Sequence, residues 1–151
     1  MPILNVKVSQ PASATLTQSI SETLLELTTR ILRKKRELTS IAIDFVPPEH
    51  WMVGGATLAA QGKNSFYFDI KVVDGTNTKD EKAQYISECF AAFDALLAPL
   101  HPESYIHVQD VRAEAYGFGG LTQEYRYIQA KAPNPVHALN ARCDKADLGQ
   151  A

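Results

Sequence analysis

The sequence has few of the features that indicate a secreted, metal-bound or nucleic-acid-bound protein. It contains only two cysteines in 151 residues, Cys89 and Cys143, and their separation matches no metal or redox motif. We therefore expect reduced thiols, as in a cytoplasmic protein. Basic residues are not in excess, since the formal net charge is -2, and this argues against a nucleic-acid partner.

Long apolar runs are absent as well. No stretch approaches the roughly 20 apolar residues of a membrane span, and the chain starts without the charged and apolar regions of a signal peptide. His50, His101 and His137 show no spacing typical of a metal site. We expect a cytoplasmic protein that does not enter a membrane and needs no metal or organic cofactor.

Alternating and helical apolar patterns define the first half of the chain. Leu4, Val6 and Val8 alternate with polar residues and predict a strand. A capping box at Thr15 predicts the start of a helix, whose basic last turn runs from Arg33 to Arg36. The apolar stripe of this helix contains Leu16, Ile20, Leu24, Leu27 and Ile31. A second strand follows over residues 41–45, and a loop leads to a glycine pair at residues 54–55.

The same order of elements recurs about 65 residues later. Phe66, Phe68 and Ile70 alternate with polar residues as a third strand, and a capping box at Thr78 opens a second helix. Ile106 then lies in a fourth strand, and another glycine pair follows at residues 119–120. The stripe predicted for the second helix contains Ile86, Phe90, Phe93 and Leu97.

Two tandem βαβ units, about residues 2–55 and 65–120, predict one α/β domain of two layers over residues 1–128. Its sheet has four mostly parallel strands, with both helices on one face. The other face carries mixed polar residues, and parallel sheets are seldom open to water. We therefore expect subunits to cover this face, in a homotrimer closed by three-fold symmetry. Residues 129–151 are predicted to be a tail that wraps or is disordered.

The proline at position 2 opens the first strand. Removal of Met1 would turn the Pro2 nitrogen into a free secondary amine, which carries a proton as no internal proline does. An α-amino group has a reference pKa of about 7.7–8.0, and burial or a nearby cation lowers it, so the amine would be a base near neutral pH. The alternative is a proline without a chemical role, since proline makes up about 5% of average composition.

Together these features resemble the tautomerase superfamily. The N-terminal Pro2-Ile3, the Leu38-Thr39-Ser40-Ile41 entry into the second strand and the loop ending in Gly54-Gly55 are similar to 4-oxalocrotonate tautomerase. The doubled unit resembles its fused members, of the macrophage migration inhibitory factor and cis-3-chloroacrylic acid dehalogenase types, over about residues 2–127. The resemblance implies a tautomerase fold and an isomerase without a cofactor.

The resemblance also implies roles for individual residues. Pro2 matches the catalytic proline, and Trp51 matches the aromatic wall of the pocket. Tyr105 and His107 match the tyrosine and asparagine that reach the proline of a neighbouring subunit, and Arg36 lies near the position of a lysine that follows the first helix. Each has a plainer alternative, since Trp51 suits a packing anchor, Arg36 a solvated helix end and His107 a structural hydrogen bond.

Lys71 is a further candidate, because a lysine near Pro2 would lower its pKa and hold a substrate carboxylate. A charge pair with Asp69 is the alternative. Ala42 and the turn at residues 12–15 occupy the positions of the substrate-binding arginines of 4-oxalocrotonate tautomerase. The paired arginines of the dehalogenase align near Val73 and Thr76. These departures argue against oxalocrotonate turnover and against dehalogenation.

We therefore expect an enzyme, a keto-enol tautomerase acting on a small 2-oxo or enol acid. A hydratase or decarboxylase of the same superfamily is an open alternative. So is a binding or signalling module that keeps the fold without useful turnover, because a fold does not fix a function.

Overall fold

The computed structural model describes residues 2–132, and these residues include the four strands and two helices that the sequence predicts. The first βαβ unit consists of strand β1 (Ile3–Val8), helix α1 (Ala14–Arg30) and strand β2 (Ser40–Phe45). The following elements, up to residue 111, are β3 (Met52–Val53), β4 (Ala56–Thr57), α2 (Leu58–Gln61), β5 (Phe66–Val73), α3 (Lys79–Leu97) and β6 (Tyr105–Val111). Short 3-10 turns precede β2 and β3, at Arg36–Leu38 and Pro48–His50.

Four strands form one sheet in the order β2-β1-β5-β6. β1 pairs in parallel with β2, and β5 pairs in parallel with β6. The two repeats meet at an antiparallel pair of β1 and β5, in which Asn5 lies opposite Asp69. The predicted tandem βαβ architecture with a mostly parallel sheet is confirmed, and its one antiparallel junction places the starts of β1 and β5 at opposite ends of the sheet.

Both helices cover the same face of the sheet, as predicted. On this face, the side chains of the two inner strands are at most 1% exposed: Leu4, Val6, Val8, Phe66, Phe68, Ile70 and Val72. They form one core with the stripe of α1, in which Ile20 and Leu24 are fully buried, and with Phe93 of α3. The opposite face carries the polar side chains, including Asn5 and Lys7, so the candidate side chains of Lys71, Tyr105 and His107 lie outside the core.

The helix starts differ in how well the sequence predicted them. The prediction of a capping box at Thr15 is wrong, because α1 already begins at Ala14 and its N-cap is Ser13. Ser13 has the extended backbone that an N-cap requires, and its hydroxyl accepts a main-chain N–H of the first turn. The capping box of Thr78 and Glu81 is confirmed, since both reciprocal hydrogen bonds are present.

The basic cluster after α1 does not extend the helix. Arg33 has a φ of 55°, in the left-handed region, so the helix ends at Arg30. Arg33 forms an ion pair with Glu81, and the Lys34 ammonium donates to the hydroxyl of Thr76 at 2.8 Å. These two cations therefore tie the end of α1 to the residues around the start of α3.

The buried stripe of α3 is rotated from the predicted one. Tyr85 and Cys89 are fully buried, together with Phe93 and Leu97, whereas Ile86 is 39% exposed. The Tyr85 hydroxyl reaches the hydroxyl of Thr28 on α1 at 2.9 Å. Placing Ile86 in the core was wrong because this polar partner, 57 residues away, makes burial of a tyrosine favourable.

The described residues 112–132 belong to a second compact unit. It contains a 3-10 turn (Ala113–Ala115), a hairpin of β7 (Gly117–Phe118) and β8 (Leu121–Thr122), and helix α4 (Gln123–Lys131). Helix α4 runs past the predicted boundary at residue 128, and residues 133–151 of the predicted tail lie outside the described residues. The single domain over 1–128 stays a prediction. Among residues 2–132, no helix is long and apolar enough to cross a membrane.

Candidate functional site

Pro2 lies at the start of an inner strand. It is buried, and its carbonyl accepts the main-chain N–H of Ser40 at 3.1 Å, which extends the parallel pairing of β1 and β2 by one bond. The next residue, Ile3, lies opposite Lys71 near the end of β5. Pro2 is therefore held by strands on both sides, and Lys71 is the candidate cation on the neighbouring strand at this end of the sheet.

Arg36 lies at the same end of the sheet as Pro2. Its 3-10 turn leads directly into β2, whose first residue, Ser40, bonds the Pro2 carbonyl. The Arg36 side chain is exposed and forms no ion pair or side-chain hydrogen bond with any of residues 2–132. The local fold therefore leaves a cation without an ion pair among residues 2–132 just before the start of β2, which pairs with the start of β1.

Lys71 has a partner within its own strand. Its ammonium lies 2.8 Å from a carboxylate oxygen of Asp69, two residues earlier on the same face of β5. The amide of Asn5 and the hydroxyl of Tyr67 approach the same carboxylate at 3.5 Å. Burial first, and then the charge of Asp69, raise the pKa of Tyr67 above its ordinary value. The charge pair weighed as the alternative for Lys71 is thus present, and it offsets much of the positive charge that Lys71 would direct at Pro2.

Tyr105 and His107 lie on β6, away from Pro2 in the same chain. Tyr105 pairs with Tyr67 at the start of β5, and His107 pairs with Asp69 in the middle. Tyr67 and Lys71 are four residues apart, about 13 Å along a strand. Tyr105 is 57% exposed, and its hydroxyl donates to Glu103 at 2.5 Å, which raises the pKa of Tyr105. A single chain therefore does not bring Tyr105 to Pro2, and the predicted role requires a neighbouring subunit.

Trp51 is held by the first hairpin. Its carbonyl accepts the N–H of Leu58 at 2.8 Å, and the amide of Gln61 donates to main-chain carbonyls on both hairpin strands, Val53 at 2.9 Å and Ala56 at 3.0 Å. The turn between β3 and β4 is made by glycines 54 and 55, with φ of 62° and 83°, a conformation that suits glycine. Helix α2 thus fixes the hairpin and the position of the indole.

The indole lines a cavity at the end of the sheet opposite Pro2. We call it the Trp51 cavity; its volume is about 380 Å³, and it is lined by Lys7, Val46, His50, Trp51, Met52 and Tyr67. Lys7 pairs with Tyr67, where β1 ends and β5 begins. Within one chain, Trp51 and Pro2 are therefore at different ends of β1.

The hairpin of the second unit has internal hydrogen bonds equivalent to those of the first hairpin. The Tyr116 carbonyl accepts the N–H of Gln123 at 2.8 Å, as Trp51 accepts that of Leu58. The guanidinium of Arg126 donates to the Phe118 carbonyl at 2.9 Å and lies over its ring, in the place of Gln61. A side chain at Gly117 would meet the Leu121 carbonyl oxygen at 2.5 Å. Tyr116 is therefore the counterpart of Trp51, a residue that the sequence analysis missed although the offset of 65 indicates it.

Comparison with known proteins was made by sequence and by structure. Neither protein-family models nor curated protein sequences match this chain. By structure, the chain is similar to a wild-type fused 4-OT, F6, described as an asymmetric trimer, with 18% identity, a TM-score of 0.70, and coverage of 82% of this chain and 98% of the other. It is also similar to Pt0534 inactivated by 2-oxo-3-pentynoate, with 12% identity, a TM-score of 0.71, and 82% and 98% coverage.

A third similar structure is a macrophage migration inhibitory factor-like protein from Entamoeba histolytica, with 12% identity, a TM-score of 0.66, and coverage of 80% of this chain and 97% of that one. The chain has the fold of the tautomerase superfamily. In this tautomerase fold, Pro2 at the start of β1 corresponds to Phe66 at the start of β5. Because β1 and β5 are antiparallel, these two residues lie at opposite ends of the sheet. Phe66 is fully buried, and its nitrogen is an ordinary amide.

Lys7 is the other site residue of this tautomerase fold that the sequence analysis did not select. It corresponds to Lys71 at an offset of 64, and that offset was the available signal. Its contact with the Trp51 cavity depends on how the hairpin folds back, which strand alternation does not reveal.

Among residues 2–132, no group of three or more His, Cys, Asp or Glu side chains is placed to bind a metal ion.

Proposed function

We propose that this chain is an isomerase, a keto-enol tautomerase that uses Pro2 as a general base on a small 2-oxo or enol acid. The observation that carries the proposal is a buried proline at the second position, directly before an inner strand. It occurs in a fold shared with fused 4-OT and with Pt0534, which 2-oxo-3-pentynoate inactivates. Because Phe66 occupies the corresponding position, each chain has one such base.

The reaction needs only a proton transfer. The free amine of Pro2 takes the proton from the enol hydroxyl, the carbonyl forms at that carbon, and the ammonium returns a proton to the adjacent carbon. Substrate and product have the same composition, so the step consumes no co-reactant. A base placed in this way typically contributes about 10²–10⁴-fold to the rate.

Arg36 and Lys71 are the proposed carboxylate ligands on the same chain as Pro2. Arg36 is the freer of the two cations, because Lys71 lies 2.8 Å from Asp69. A guanidinium is also suited to a carboxylate, which it binds through two parallel hydrogen bonds. We therefore assign the main contact with the substrate carboxylate to Arg36, and to Lys71 the additional effect of lowering the pKa of Pro2.

The proposal includes a homotrimer. Tyr105 and His107 lie away from Pro2 in their own chain, so they contribute only across a subunit boundary. Two of the similar fused 4-OT structures are described as an asymmetric and a symmetric trimer. The polar face of the sheet and the exposed ring of Tyr105 are surfaces that such an assembly would cover.

The experiment is a rate measurement with an aryl enolpyruvate, after the intact mass has established that Met1 is absent. Pro2→Ala is compared with the native protein and with Pro11→Ala, which changes an exposed proline outside the strand. We expect kcat/KM to fall by about 10²–10⁴-fold in Pro2→Ala only. Equal turnover in Pro2→Ala and native protein would refute the role of Pro2, because a primary amine differs from the ring amine in basicity and placement.

A further inference from the structure

The Trp51 cavity contains polar side chains that have no partner among the residues that the structure describes. Among residues 2–132, the side chains of Lys7, His50 and Trp51 form no ion pair and no hydrogen bond. Asp44 is the register neighbour of Lys7 on β2, yet no ion pair joins them. The lining includes no Asp or Glu, so the cavity presents one cation and two further polar groups without an internal counter-charge.

The two repeats explain why Lys7 is free. Lys7 and Lys71 are equivalent at an offset of 64, and the same offset relates Asn5 to Asp69. In the second repeat, the carboxylate of Asp69 lies 2.8 Å from Lys71 and offsets much of its charge. In the first repeat, Asn5 replaces that carboxylate with a neutral amide. The charge of Lys7 is therefore left for a group from outside the chain.

The lining determines the chemical class of that group. An ammonium attracts an anion, and the rings of Trp51 and Tyr67 provide flat surfaces for an aromatic or otherwise planar body. The volume of about 380 Å³ falls within the range of small-molecule pockets, roughly 300–1,000 Å³. We propose that the Trp51 cavity is a second binding site, separate from the proline site, for a small planar carboxylic acid.

The second site binds this acid without converting it. The residue equivalent to Pro2 at this end of the sheet is Phe66, whose nitrogen is a main-chain amide and has no lone pair available as a base. Its ring is fully buried in the core. The site is built from Lys7, Trp51 and Tyr67, so it stands or falls independently of catalysis by Pro2.

Trp51 is the only tryptophan of the chain, and its fluorescence reports directly on the cavity. The full-length protein is titrated with phenylacetate and, as the uncharged control, with phenylacetamide. We expect a saturable change in emission with phenylacetate only. In Lys7→Met the dissociation constant should rise about tenfold or more, because a charge-assisted contact is lost. In Lys7→Arg, Lys71→Met and Pro2→Ala it should stay within about threefold.

Lys71→Met makes the same chemical change at the equivalent residue of the other repeat and is the matched control. Three results would overturn the proposal: no saturable signal, equal affinity in Lys7→Met and native protein, or loss of the signal in Pro2→Ala, which would place the ligand at the proline site. Thermal melting checks that each variant is folded. If Lys7→Met does not fold, equal binding of phenylacetate and phenylacetamide to native protein is the result that refutes it.

Discussion

The hydrogen bond between the hydroxyls of Thr28 and Tyr85 joins helices α1 and α3, which pack on the sheet. The two oxygens lie 2.9 Å apart, and both residues are fully buried. Tyr85→Phe or Thr28→Val removes one hydroxyl with little change of shape and deprives the other of this hydrogen bond. Each single substitution should therefore lower the free energy of unfolding by about 1–3 kcal/mol, the cost of a buried unsatisfied group.

The double variant is the informative one. It removes both hydroxyls together and leaves no unsatisfied group, so its loss should be well below the sum of the two single losses, with a coupling of about 1–2 kcal/mol. Guanidinium unfolding followed by circular dichroism measures all four proteins. Tyr127→Phe, at a tyrosine that is 66% exposed, is the control and should change stability by no more than about 0.5 kcal/mol. Additive losses, or single losses no larger than the control, would show that the contact does not couple the helices.

Three further predictions concern reactivity, the pH profile and assembly. Burial raises the pKa of the Cys89 thiol to about 12, so at pH 8 the thiol stays protonated in the folded protein. In the Cys143→Ser variant, iodoacetamide should therefore label Cys89 far more slowly in the folded than in the unfolded protein. Equal labelling rates in the two states would contradict the burial of Cys89. Lys71→Met removes a cation that disfavours the charged form of Pro2, so the lower limb of the kcat/KM profile should move to higher pH and KM for carboxylate substrates should rise; if neither changes, Lys71 only pairs with Asp69. Light scattering should give three times the chain mass of 16.6 kDa at all dilutions, and a stable monomer would rule out the trimer.

The strands were predictable from the sequence because their burial is decided locally. Leu4 and Val6, like Phe66 and Phe68, alternate with polar neighbours, and each set lies in the core. The tandem repeat then predicted the two βαβ units. The stripe of α3 was not predictable in the same way, because the choice between Tyr85 and Ile86 depends on Thr28, which is distant in sequence.

The candidate site was predictable only in part. Strand alternation predicts that Pro2 directly precedes a strand, and the sheet order adds that this strand is an inner one. The place of Trp51 does not follow from strand alternation, because the hairpin carries it to the end of β1 opposite Pro2. The offset of the Lys71 charge by Asp69 depends on side-chain geometry, and the freedom of Lys7 becomes visible only when the two repeats are compared residue by residue.

The central claim is that Pro2 presents a free, nucleophilic secondary amine in a site that binds 2-oxo acids. The most direct measurement is the intact mass and peptide map of the native protein after reaction with 2-oxo-3-pentynoate, the compound that inactivates Pt0534. An amine adds to the activated alkyne without a leaving group, so we predict a gain of one reagent mass, located on Pro2, in parallel with loss of tautomerase activity. A protein that retains Met1, or one that is modified elsewhere while Pro2 stays unmodified, would contradict the account.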